Sequence, residues 1–194
     1  MTRSRNRSEP DRERFEHVYR QTRIAILAYL ARRTESAEDA ADMLGEVYLI
    51  AWRRITDLPS GEQARLWLFG VARRVLANQR RRYRSQERLA ATLEQTLQLR
   101  GRDEQWAARE EGLSDAIVAA LNTLSDSDRE LLTLSAWEEL SPAEIAVVLS
   151  RPAALIRVRL HRARAKLRAR LVDPDSEPDA LLSESRLIDA AATE

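Results

Sequence analysis

The chain contains no cysteine, which excludes disulfides and thiolate metal sites. Its two histidines, His17 and His161, stand far apart in the sequence, so no histidine metal site is expected. Glycine is scarce at five residues and aromatics make up 5% of the chain, while hydrophobic residues reach 44%. That balance gives ample core but favours helices over sheets. No apolar run approaches the ~20 residues of a membrane span, and the opening MTRSRNRSEPDRERF lacks the apolar centre of a signal peptide. A soluble, unexported protein of the reducing cytoplasm, with no membrane partner, is the expectation. There is no glycine-rich phosphate loop, no serine nucleophile elbow and no zinc-binding histidine pair. No catalytic residue, metal or cofactor is therefore expected, and an enzyme is the least favoured class.

What is present is segregated charge. The net charge of +1 hides two basic blocks and one acidic tail. Arg73 to Arg84 carries six arginines and no acid; Arg151 to Arg170 carries seven arginines plus Lys166, the chain's one lysine; Asp173 to Glu194 holds seven acids against Arg186 alone. Arginine in place of lysine also follows from a GC-rich genome, so its identity says little.

Periodicity at three, four and seven residues predicts an all-α fold. A first amphipathic helix over roughly Pro10 to Arg33 buries Phe15, Val18, Tyr19, Ile26, Leu27 and Leu30. A second, capped by Ser36 with Asp39, carries Leu44, Val47, Tyr48, Ala51, Trp52 and Ile55. Pro59 and Gly61 mark a loop, after which EQARLWLFGVARRVLANQRRRYR forms a third helix. The expected organisation is a flexible N-terminus (1–9), a helical module (10–84), a flexible linker with transient helical content (85–112), a second helical module (113–172) and an acidic tail (173–194). In the second module four helices fit DAIVAALNTL, SDSDRELLTLSAWEEL, SPAEIAVVLS and the arginine-rich stretch that follows. Ser125 with Asp128, and Ser141 with Glu144 behind Pro142, match helix-start chemistry in which hydroxyl and carboxylate satisfy unpaired N–H groups.

SPAEIAVVLSRPAALIRVRLHRAR reads as helix, tight turn at Ser150 to Pro152, and longer helix. Ile156, Leu160, Ala163, Leu167 and Leu171 form one apolar stripe able to pack on Ile145, Val148 and Leu149. The opposite side presents Val158, His161, Arg162 and Ala165, flanked by Arg157 and Arg159. Unpaired positive charge there suits phosphates, while the first turns reach base edges. A solvated basic surface is the plainer alternative. In the first module Trp67, Leu68, Val71, Val75 and Leu76 supply core. Arg73, Arg74, Asn78, Gln79, Arg81 and Arg82 offer charge and amide hydrogen bonds suited to single-stranded or opening DNA. Trp67 is more naturally core than a base-stacking platform.

With these segments in hand, the chain resembles the extracytoplasmic-function group of bacterial RNA polymerase sigma factors, which keep sigma regions 2 and 4. ADMLGEVYLIAW and RLWLFGVARRVLANQRRR are similar to region 2, and LSDSDRELLTLSAWEELSPAEIAVVLSRPAALIRVRLHRARAKLRARL to region 4. The resemblance implies two small helical domains: a region 2 bundle over 10–84, for core polymerase and the −10 element, and a region 4 helix-turn-helix over 113–172, for the −35 element. It also implies site residues. Asp42, Glu46, Trp52, Arg53 and Arg54 would dock on the clamp helices of the largest polymerase subunit, with the polymerase flap as the second polymerase contact. Ser60 and Gln63, in a loop from Asp57 to Gln63 that captures a flipped base, and Trp67, Arg73, Arg74, Asn78, Arg81 and Arg82 would serve the −10 region. Arg151, Ala154, Arg157, Val158, Arg159, His161 and Arg162 would serve the −35 region. Core polymerase and promoter DNA are the implied partners, and an anti-sigma protein is a further candidate.

Three departures stand out. Gly45 replaces the usual glutamine of the clamp-facing helix, Ser150 replaces the usual turn glycine, and Ala154, Leu155 and Val158 replace a hydroxyl-bearing series with methyls that cannot hydrogen-bond. The competing function is a dimeric helix-turn-helix regulator that is no polymerase subunit, but the first module's own basic helix argues against it. The tail is either a solubilising segment or an acidic strand with a short amphipathic stretch at Leu181, Leu182, Leu187, Ile188 and Ala191 that folds over a basic face and competes with DNA.

Overall fold

The computed structural model describes residues 9–93 and 115–172, with side chains described over 9–83 and 116–172. The described residues form seven helices and no strand: α1 (Glu9–Ala31), α2 (Ala37–Arg53), α3 (Glu62–Leu93), α4 (Asp115–Asn122), α5 (Asp126–Ala136), α6 (Pro142–Leu149) and α7 (Ala153–Val172). The all-α class is as expected. They fall into two compact units: one holds α1–α3 together with Val147–Leu149 at the end of α6, and the other, the α4–α7 unit, holds α4, α5, Pro142–Ala146 of α6 and α7. The expectations for residues 1–8, for the linker beyond Leu93 and for the acidic tail lie outside the described residues.

In the first unit each helix packs on the other two. Ile26, Tyr29 and Leu30 of α1 are buried with Val47 and Ala51 of α2 and Leu68, Phe69 and Val75 of α3. Phe69 meets Tyr29 edge to face at a centroid distance of 5.4 Å, a preferred aromatic geometry. The α1 stripe is displaced from the expected one. Tyr19 and Leu27 remain about two-fifths exposed, whereas Thr22 and Tyr29 are buried. Thr22 belongs inside because its Oγ1 bonds the Val18 carbonyl at 2.6 Å and the Tyr48 hydroxyl at 2.7 Å, which satisfies both polar groups away from water. Burial pushes the Tyr48 phenol up to about 12, against the acid-lowering bond from Thr22.

Helix starts follow local chemistry. Ser36 accepts from the Asp39 N–H at 3.0 Å and donates to the Asp39 carboxylate at 2.6 Å. At α6 the capping box is reciprocal: the Glu144 N–H reaches Ser141 Oγ at 3.3 Å, while Glu144 Oε2 accepts from the Ser141 N–H at 2.8 Å and its hydroxyl at 2.7 Å. Two boundaries differ from expectation. α3 continues to Leu93, into the stretch read as linker, since nothing from Ser85 onward carries a proline or glycine that would stop it before Leu93. α5 ends at Ala136 instead of running to Leu140. Glu139 takes a left-handed backbone (φ 55) and the Leu140 N–H turns back to the Leu134 carbonyl at 3.1 Å, so the chain has already reversed before Ser141 opens α6.

Candidate nucleic-acid interface

In the second unit α6 and α7 form the helix-turn-helix. The turn closes through a bond from the Arg151 N–H to the Ala146 carbonyl at 2.9 Å, with Ser150 left-handed at φ 52. This is the helix-terminating geometry that glycine usually serves. Beyond it, α7 lies chiefly along α5 and α4, not along α6 as the apolar stripe suggested. Ile156, Leu160 and Ala163 are buried, Leu167 is only partly so and Leu171 is exposed, so the stripe seats the first half of α7 and fades in the second.

The opposite face carries Ala154, Val158, His161, Arg162 and Ala165, all exposed, with Arg157 and Leu155 exposed on its two flanks and Arg151 exposed in the turn. α7 contains no acidic residue. Arg159 departs from expectation. Its guanidinium bonds Ser127 Oγ at 2.8 Å and lies 3.8 Å from the Asp128 carboxylate, so it is drawn back onto α5 instead of standing unpaired on the DNA flank. Asp128 in turn takes Lys166 Nζ at 2.8 Å. The Asp128 N–H still receives its cap from Ser125 Oγ at 3.2 Å. Its carboxylate, expected to complete that cap, instead ties α5 to α7 at two points about two turns apart. Arg164 adds a third tie, to Ser135 Oγ at 3.0 Å. The recognition-type helix is thus held by its polar flank as well as by its core face.

In the first unit the loop between α2 and α3 is anchored at its base. Leu58 is buried, and Arg14 of α1 donates to the carbonyls of Ile55, at 3.5 Å, and Leu58. Gly61 turns the chain at φ 59, where a side chain would be strained. Ser60 and Gln63 are exposed beyond this anchor. Gln63 belongs to the first turn of α3, which begins at Glu62, so the loop is shorter than expected. Along α3, Arg73, Arg74, Asn78, Arg81 and Arg82 are exposed, with the Arg81 guanidinium donating to Asn78 Oδ1. Trp67 is half-buried, its ring 5.9 Å from the Arg54 guanidinium.

The residues expected on the polymerase-facing side split into two groups. Asp42, Glu46 and Trp52 lie along α2, with Asp42 exposed and Glu46 and Trp52 partly so. Trp52 meets Phe15 at 5.1 Å, and with Tyr48, Leu49 and Gly45 these rings line an apolar groove. A Cβ on Gly45 would meet nothing within 4 Å, so packing does not demand glycine there. Arg53 ends α2 and is exposed. Arg54 lies past the helix, paired with Asp57 at 2.9 Å, and so belongs with the loop and Trp67.

Arg14 and Asp128 are the residues that sequence reasoning missed. Asp128 had a visible local partner in Ser125, which concealed its distant one; Arg14 reaches carbonyls that carry no sequence signature. Among the described residues no group of acids and histidines is arranged to hold a metal, and no helix is long and apolar enough to cross a membrane.

Comparison with known proteins agrees with this division. Residues 18–86 match the family described as Sigma-70 region 2 and residues 114–167 match Sigma-70, region 4. The chain is 31% identical over 156 residues to the ECF RNA polymerase sigma factor SigL of Mycobacterium tuberculosis, covering 79% of this chain and 86% of that one. It is 29% identical over 169 residues to RNA polymerase sigma factor YlaC of Bacillus subtilis, covering 86% and 96%. Among solved structures, the sigma factor RpoE of Bartonella quintana, in complex with the anti-sigma factor NepR, has the same fold with a TM-score of 0.59 at 22% identity, covering 84% of this chain and 98% of that one. CnrH, in complex with the cytosolic domain of CnrY, gives 0.52 at 26% identity, covering 84% and 89%.

Proposed function

Because the chain belongs to the extracytoplasmic-function RNA polymerase sigma factors, and so directs promoter-specific transcription initiation, we propose a division of that work between its two units. The α1–α3 unit docks on the clamp helices of core polymerase through Asp42, Glu46, Trp52 and Arg53, and engages the −10 element through Ser60, Gln63 and the basic side of α3 at Arg73, Arg74, Asn78, Arg81 and Arg82. Trp67 and Arg54 shape the floor beside the loop. The α4–α7 unit contacts the polymerase flap and enters the −35 major groove with Arg151, Ala154, Arg157, Val158, His161 and Arg162. Arg159 acts here as a positioning residue, since Ser127 and Asp128 hold it. The observation that carries the reading is the outer face of α7, where Arg157 and Arg162 stand exposed on a helix without one acid. The factor works in the cytoplasm, where the polymerase is. An anti-sigma protein is a fitting further partner, as RpoE and CnrH were each solved with a protein bound.

The chemistry of polymerisation stays with the enzyme; the factor contributes recognition and strand opening. Each unit presents only a small basic face for one DNA element, so tight selective binding requires core polymerase. Purified chain added to core polymerase should produce run-off transcripts from discrete start sites, while the chain alone binds duplex promoter weakly. Nanomolar sequence-specific duplex binding by the isolated chain at physiological salt would instead favour an autonomous regulator.

A further inference from the structure

The outer face of α7 carries an apolar patch that the fold leaves about half exposed. Leu155 is 43% and Val158 49% exposed, and Ala154 is exposed beside them. The fully buried set of the same helix is Ile156, Leu160 and Ala163, so the core of α7 is formed without these three residues. They are contiguous: Ala154 and Val158 are one turn apart, and Leu155 and Val158 are neighbours at a spacing of three. They occupy the first two turns, the part of a recognition helix that reaches base edges. Around them Arg151, Arg157, His161 and Arg162 are exposed. A cationic rim of this kind fits phosphates on both sides of a groove, and it sets the patch apart from an ordinary apolar protein-binding surface.

We propose that Ala154, Leu155 and Val158 read thymine methyl groups, so that this factor selects a −35 element by its thymines. The proposal rests on the sigma-factor reading and concerns how the element is chosen. Thymine alone displays a methyl in the major groove; the other bases offer only donors and acceptors there. Aliphatic side chains gain by covering a methyl and can satisfy no donor or acceptor. A base edge beneath the patch that carries no methyl would lose its water with no apolar contact in return. Selection therefore has an attractive and a repulsive part, both set by the same three side chains.

The test uses holoenzyme assembled from the full chain and core polymerase. Preferred −35 elements are selected from a promoter library randomised over that window, and the best is remade with deoxyuridine replacing each thymine of the window in turn. Removing each methyl that lies under the patch should lower promoter affinity about three- to five-fold, and the Leu155→Ala/Val158→Ala variant should show little of that penalty. Circular dichroism of the variant verifies its helices; were it to misfold, the thymine–deoxyuridine comparison with the parent chain still decides. Equal affinity of the parent for thymine and deoxyuridine promoters overturns the proposal, as does an undiminished penalty in a folded variant or a selection that yields no −35 preference. Failure of the chain to bind core polymerase at all would strike the sigma-factor reading instead.

Discussion

Replacing Ser150 by glycine should stabilise the α4–α7 unit. Ser150 sits at φ 52, where an L-residue pays roughly 1–2 kcal/mol, and its exposed side chain makes no bond among the described residues that glycine would forfeit. Glycine removes that strain but adds unfolded-state freedom worth about 0.4–1 kcal/mol. The difference leaves a gain of about 0.5–1 kcal/mol, equivalent to a rise of a few degrees in the unfolding temperature of a domain this size. Amide hydrogen exchange on the full chain reads the two units separately, so slower exchange in α5 and α7 with unchanged rates in α1 and α2 is the expected pattern. Ser150→Asn should show a smaller gain, since asparagine tolerates the left-handed region, and Ser150→Val a loss. If valine matches serine, or glycine gains nothing, the turn carries no strain and the reasoning is wrong.

Gly45→Ala should stabilise α2 by up to about 1 kcal/mol, because the new methyl meets nothing within 4 Å; chemical denaturation checks it, and a loss would mean the groove is filled. Asp128→Ala should cost about 1.5–3 kcal/mol through its charged hydrogen bond to Lys166 and should loosen α7 relative to α5 in hydrogen exchange. An unchanged exchange rate would demote the pair to a surface contact. The Tyr48 phenol is raised by burial from 10.0 to about 12, so the fold favours its protonated form. That contribution is complete below pH 10 and disappears between pH 10 and 12; denaturation across this window should fall less steeply for Tyr48→Phe than for the parent.

Helix starts were legible because a capping hydroxyl and its N–H lie within three residues, as at Ser36 and Ser141. The same locality misled at Asp128, whose N–H obeys the local rule while its carboxylate answers to Lys166 across the unit. Periodicity located the α7 core at Ile156, Leu160 and Ala163 but extended it to Leu171, because spacing shows which face a residue is on and not where the neighbouring helix ends. Thr22 shows the converse: a polar residue at a core position is invisible to an apolar pattern until its partner, Tyr48, is in view. The left-handed backbone at Ser150 fits the tight turn expected at Ser150 to Pro152, whereas Glu139 adopts the same conformation with no such sign.

Arg14 links events that are far apart in time as well as in sequence. Its bonds to Ile55 and Leu58 span 41 and 44 residues, so the base of the α2–α3 loop cannot be set until α1 has docked. Closing such spans costs chain entropy that the docked helix must offset. Arg14 stands only five residues into α1, in the part of a helix most prone to fray. A fusion tag or shortened N-terminus that unwinds the first two turns would leave Val18, Ile26, Tyr29 and Leu30 seated in the core, yet release the loop.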